Sequence, residues 1–159
     1  MRHFLRNGWA AALGLLLMSG CAARTEWGAA ARVGKVWQAY ETLDLEVPVT
    51  DSLCPYALQL HVRHTHAYRY ANLWLFVSAY TPEGALWRRD TLDLALAAPD
   101  GRWLGQGWGD LYTVEVPVEP SPVVFPTCGT YVFKVEQAMR EPALKGVHDV
   151  GIRLIQNTH

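Results

Sequence analysis

From Leu43 onward the chain alternates apolar and polar residues with a period of two, run after run, and that rhythm restricts it to sheet. Leu43, Leu45, Val47 and Val49 are separated by Asp44, Glu46 and Pro48, and Leu58, Leu60 and Val62 by Gln59 and His61, with Arg63 next. Successive side chains of a strand point to opposite faces, so each run offers one face to a core and one to water. Pro48 has no amide hydrogen to give a second neighbour, which assigns the first run to a sheet edge. Asn72 to Tyr80 is apolar on both faces and reads as a central covered strand, with Trp74 and Phe76 packed under a loop or tether. Leu92 to Leu96, Leu111 to Val118, Tyr131 to Val135 and Val150 to Leu154 supply further strands. Thr81-Pro82-Glu83-Gly84 and Pro99-Asp100-Gly101 are turns, and the prolines from Pro117 to Pro126 allow only extended loop or sheet edge. Helical periodicity is almost absent; a short helix fits only within Ala29 to Tyr40. At 159 residues, 50% of them hydrophobic, the chain makes one domain with a sizeable core. The predicted fold is all-β: an antiparallel β-sandwich of about seven to eight strands over residues 36–159.

What precedes the domain reads as an address. Arg2, His3 and Arg6 stand before an uncharged apolar run from Trp9 to Met18, too short to span a bilayer comfortably, as in a secretory signal peptide. Met18-Ser19-Gly20-Cys21 then resembles the lipobox at which bacterial lipoprotein signal peptidase cleaves before a lipidated cysteine. The expected division is a signal peptide over 1–20 and a lipidated tether over 21–35, rich in Ala, Gly and Arg. Two or three acyl chains on Cys21, at about 0.8 kcal/mol per buried methylene, suffice for stable membrane anchoring. The other reading is ordinary secretion with a chance cysteine.

With Cys21 carrying lipid, Cys54 and Cys128 remain, and an even pair in an oxidising compartment permits a disulfide. Two thiols are the alternative, because bridge geometry is not written in sequence.

The charge balance, Lys+Arg 14 against Asp+Glu 15, is a formal −1, and losing Arg2 and Arg6 with the leader moves it to −3. A nucleic-acid partner is therefore not expected. His61, His64 and His66 form the most tempting metal cluster, yet His61 and His64 should face opposite ways and no carboxylate or thiolate stands at a diagnostic spacing; solvated loop-end histidines are the simpler reading. No serine lies in a G-x-S-x-G elbow. Asp90, Asp93, Asp100 and Asp110 fit turns and strand ends as well as they fit an acid–base pair. No catalytic residue, metal or cofactor is assigned. Trp103 and Trp108, set among four glycines in Asp100 to Asp110, either close the open end of the core or stack against sugar rings.

Several strings, taken together, resemble one family, the gliding-motility lipoproteins of the GldH type found in Bacteroidetes. They are Val62-Arg63, Tyr68-Arg69-Tyr70-Ala71-Asn72-Leu73-Trp74-Leu75, Asp90-Thr91, and Gly101-Arg102-Trp103-Leu104-Gly105-Gln106-Gly107. Met139-Arg140, Leu144-Lys145-Gly146-Val147 and Asp149-Val150-Gly151-Ile152-Arg153 follow in order. The match runs from about Val36 to Ile155 and includes the lipobox; Met18, Cys54 and Cys128 depart from the family pattern. The resemblance implies an outer-membrane lipoprotein facing the periplasm, needed for gliding and associated with type IX secretion, with other envelope proteins as partners and no established enzymatic activity or cofactor. Cys21 is the one residue whose role carries over. Within these strings Gly146 and Gly151 bracket the last strand, where a tight turn and a close backbone approach are expected. Arg63, Arg140 and Arg153 lie on or beside strands, where ion pairs with residues such as Asp90 and Asp149 would close the sheets, or a partner would bind.

Overall fold

The computed structural model describes residues 26–156, which form twelve strands and no helix. A six-stranded sheet runs β1 (Glu26–Arg32), β12 (Val147–Gln156), β4 (Pro55–Thr65), β8 (Leu111–Pro117) and β7 (Gln106–Trp108), with β9 (Val123–Val124) also paired to β4. A four-stranded sheet runs β3 (Thr42–Val49), β10 (Gly129–Gln137), β5 (Asn72–Tyr80) and β6 (Leu86–Ala95). A small ribbon pairs β2 (Trp37–Gln38) with β11 (Ala143–Leu144). All pairings are antiparallel.

The period-two runs account for this sandwich. Leu58, Leu60 and Val62 on β4 lie opposite Leu154, Ile152 and Val150 on β12, and all six are buried. In the facing sheet Leu43, Leu45 and Val47 lie opposite Val135, Phe133 and Tyr131. Interleaving of these two inner faces makes one continuous core. β3 is an edge strand, as Pro48 requires.

Aromatic side chains stopper both ends of β4. At one end Tyr56 meets Phe125 edge-on at 5.6 Å between centroids, and Phe125 packs against Tyr131 and Trp87 at 4.8 Å each. The proline-rich segment thus carries a ring into the core. At the other end His64 is enclosed by Trp103, Tyr112 and Tyr68.

Two glycines are needed for the last strand. Gly146 has φ of 86°, and a Cβ there would lie 2.2 Å from the Tyr68 amide nitrogen. At Gly151 a Cβ would come 2.2 Å from Cε1 of His61, so the imidazole lies across bare backbone.

Four expectations are corrected. Residues 26–32, expected in the tether, form β1 along β12, with Ala29 and Ala31 packed against the core. The short helix allowed within Ala29 to Tyr40 does not form; that span holds the end of β1 and the β2 ribbon. Among the described residues no loop covers Trp74: it is 40% exposed on the open face of β5. The strand count exceeds seven to eight because β1 and the short β2, β7, β9 and β11 carry little or no alternation. The signal peptide over 1–20 and Cys21 lie outside the described residues.

Candidate functional site

An open groove of about 550 Å³ lies where the start of β5 meets the chain leaving β10. β5 contributes Asn72 and Trp74, the preceding loop Tyr70, and the segment after Gln137 contributes Ala138, Met139, Arg140 and Glu141. The two segments are stitched together by their backbones: the Ala138 amide donates to the Trp74 carbonyl at 2.8 Å, and the Trp74 amide to Met139 Sδ at 3.3 Å. Buried Gln137 holds the turn, donating from Nε2 to the Glu141 carbonyl at 3.0 Å and accepting from the Met139 amide at 2.9 Å. Beneath, Tyr68 donates its hydroxyl to the Asn72 carbonyl at 2.7 Å and stacks edge-on against Tyr70. The floor is thus rigid.

Polar groups on the rim are mostly satisfied internally. The Tyr70 hydroxyl donates to Glu141 at 2.5 Å, a bond that raises the phenol's pKa above its usual value, and Asn72 Nδ2 donates to Asp93 Oδ1 at 2.7 Å. A smaller recess of about 60 Å³ shares Tyr70 and Glu141 with it and is also lined by Arg69, Leu144 and Lys145. Trp, Tyr, Met and Arg around an apolar floor is the composition found at the centre of protein interfaces.

A second groove crosses the outer face of the six-stranded sheet, where Gly28 and Ala30 leave the backbone bare between His61, Arg63, Arg153 and Glu115. Its charges are mutually compensated. Arg63 donates from Nε to Asp149 Oδ1 at 2.8 Å and from Nη2 to Oδ2, while Arg153 pairs with Glu115 at 2.5 Å. Burial pushes the Asp149 carboxyl up, but hydrogen bonds from Arg63 and His148 outweigh it and hold the pKa below the usual value. The expected pairing of Arg63 with Asp149 forms, and Arg153 pairs with Glu115 rather than with an aspartate; both pairs run across one face of one sheet. Arg88 approaches Asp90 at 3.8 Å and Glu119 at 2.5 Å.

The three histidines diverge. His61 lies half-buried in the outer groove, His66 is exposed, and His64 points into the core with no exposure at all, against the expectation of a solvated loop-end residue. Its Nδ1 lies 3.4 Å from the Thr65 carbonyl, its Nε2 is buried without a partner, and burial lowers its pKa. Among the described residues no three His, Cys, Asp or Glu side chains are grouped to hold a metal ion.

Trp103 and Trp108 part company. Trp103 packs edge-on to His64 at 4.6 Å and donates Nε1 to His66 Nδ1 at 2.9 Å, so it closes the core. Trp108 is 93% exposed on β7. The two rings therefore serve different surroundings rather than one sugar platform.

Cys54 and Cys128 are free thiols in this structure, held at consecutive residues of one loop. Cys54 Sγ donates to Asp51 Oδ2 at 3.0 Å, and Cys128 Sγ lies 3.6 Å from the Thr50 carbonyl.

The groove at Trp74 went unforeseen as a site, although Tyr68 to Leu75 and Met139-Arg140 stood out as strings. Nothing local indicates that segments 65 residues apart are neighbours.

Comparison with known proteins places these observations. A family model described as GldH lipoprotein matches residues 30–154. The chain is 30% identical over 159 residues to the gliding motility lipoprotein GldH of Flavobacterium johnsoniae, across 96% of this chain and 98% of that protein. It is 32% identical over 125 residues to the gliding motility lipoprotein GldH homolog of Christiangramia forsetii, across 74% of this chain and 76% of that one.

Proposed function

Because the chain belongs to the GldH lipoprotein family, we propose that it works as a non-enzymatic assembly component or scaffold of the gliding-motility and type IX secretion apparatus. In this reading it is held at the outer membrane by acyl chains on Cys21 and its β-sandwich faces the periplasm. The two relatives are gliding motility lipoproteins by name, and the motility role is drawn from them. The single observation that carries an assembly role is the Tyr70–Trp74–Met139–Arg140 groove: an interface-like surface, built on a rigid backbone, on which two of the strings resembling the family converge. Partner binding is its function, with Trp74 as the anchor.

The test is Trp74→Ala together with Met139→Ala in cells lacking the native copy. Both variants should accumulate as folded, membrane-bound protein yet fail to restore spreading motility or export. Normal motility and export with both substitutions present would overturn the reading.

A further inference from the structure

We propose that the groove at Trp74 binds an acidic polypeptide segment, which lays an apolar side chain over Trp74 and Met139 and sets its carboxylates against Arg69, Arg140 and Lys145. This names the chemistry of the partner and rests on the assembly reading above.

Unmatched charge is the first support. Arg63, Arg88, Lys134 and Arg153 each meet a carboxylate within 4 Å. Arg69, Arg140 and Lys145 are exposed, and among the described residues none of them forms an ion pair. All three border the groove or the recess sharing Tyr70 and Glu141 with it. The one carboxylate among them, Glu141, is already engaged by the Tyr70 hydroxyl. In a chain of formal net charge −1 this is a local excess of positive charge with its counter-charge missing. Such a collar attracts a negative partner and rejects a positive one.

The apolar floor is the second support, and it selects polypeptide over glycan. The uncharged polar groups that would bond ring hydroxyls, the Asn72 amide and the Tyr70 hydroxyl, already donate inside the molecule, which leaves only the charged collar for polar contacts. The floor between is Trp74, Met139 and Ala138, in a volume that takes a leucine- or tyrosine-sized side chain with its neighbours. The Asp93 carboxylate, bonded to the Asn72 amide, repels the segment's own carboxylates, which are drawn to Arg140 instead.

The experiment uses the full-length protein in detergent and, as probes, a random Glu–Tyr copolymer, polyglutamate, a Lys–Tyr copolymer and hyaluronan. Only the Glu–Tyr copolymer should bind well, with affinity falling as salt rises from about 0.05 to 0.5 M. Trp74→Ala and the double change Arg140→Glu, Lys145→Glu should each weaken binding by about tenfold or more at unchanged melting temperature, whereas Lys134→Gln, at a cation lining a separate recess with Asp44 and Tyr80, should not. Equal binding by the charge-reversed double variant, or Trp74-dependent binding of hyaluronan, overturns the proposal. The two readings separate in cells. If Trp74→Ala abolishes motility while the charge-reversed variant supports it, the acidic partner is wrong and the assembly role stands; if both support it, the assembly role itself falls.

Discussion

Arg63 on β4 and Asp149 on β12 face each other in register and close a two-point ion pair in which only one partner meets solvent: the carboxylate is 1% exposed, the arginine side chain 39%. That asymmetry makes the two ends unequal under mutation. Asp149→Ala leaves an arginine that can turn into water, and should cost about 1–2 kcal/mol. Arg63→Met leaves a buried carboxylate with only His148 at 2.6 Å, and should cost about 2–4 kcal/mol. Urea unfolding of the two variants checks the order, and a larger loss for Asp149→Ala would refute it.

His64 should make the domain sensitive to mild acid. Its folded pKa lies below 6.5, the ordinary value, so the unfolded chain binds the proton first, and stability falls as pH drops below about 6.5. His61, also shifted down by burial, adds in the same sense. Asp149, whose carboxyl is also held below its ordinary value, adds to the loss only below about 3.8. Thermal melts from pH 7.5 to 5 should show a declining midpoint in the native protein and a shallower decline in His64→Leu. At pH 7.5 that variant should be at least as stable as the native protein, since the substitution removes a buried unpaired nitrogen.

Trp103 and Trp108 should respond differently to alanine. Trp103→Ala removes a ring packed on His64 and should destabilise the domain by about 2–3 kcal/mol. Trp108→Ala should stay within about 0.5 kcal/mol, as substitutions at open sites do. Differential scanning calorimetry separates them.

The two domain thiols should label at different rates. Cys54 donates to Asp51, and that bond pushes its pKa up, depleting thiolate; Cys128 is exposed. Maleimide at pH 7.5 should modify Cys128 first, and both should be modified after non-reducing denaturation. Protection of both under denaturation would mean that the envelope oxidises them to a bridge.

Cys21→Ala should abolish incorporation of radioactive fatty acid and move the protein from the membrane to the soluble fraction. Unchanged labelling and fractionation would refute the anchor.

How much of this was legible in advance follows from what each signal depends on. β3, β4 and β10 could be read directly, because an inner and an outer face alternate within each run, whereas β12 is readable from Val150, Ile152 and Leu154 although most of its residues are buried. β1 could not: with Gly28 and Ala29 to Ala31 small on both faces, the segment has no hydropathy contrast to reveal a period. The apolar string of β5 reads as covered on both sides, yet residue type alone cannot say whether anything lies above Trp74.

Local chemistry alone thus determined the all-β class, the edge position of β3 and the turn at Gly101, whose φ is 84°. These follow from side-chain alternation, a missing amide hydrogen and a missing Cβ, none of which needs a distant partner. Tertiary structure alone decided that β12 captures residues 26–32, that Asp149 is sealed under Arg63, that His64 is buried while its neighbour His66 is wet, and that Tyr70, Trp74 and Met139 share one groove. Each of those depends on which residue stands across a sheet or a turn from another, up to 129 positions away in the Glu26–Ile155 pair of β1 and β12, and burial and ionisation are properties of that pairing rather than of either residue.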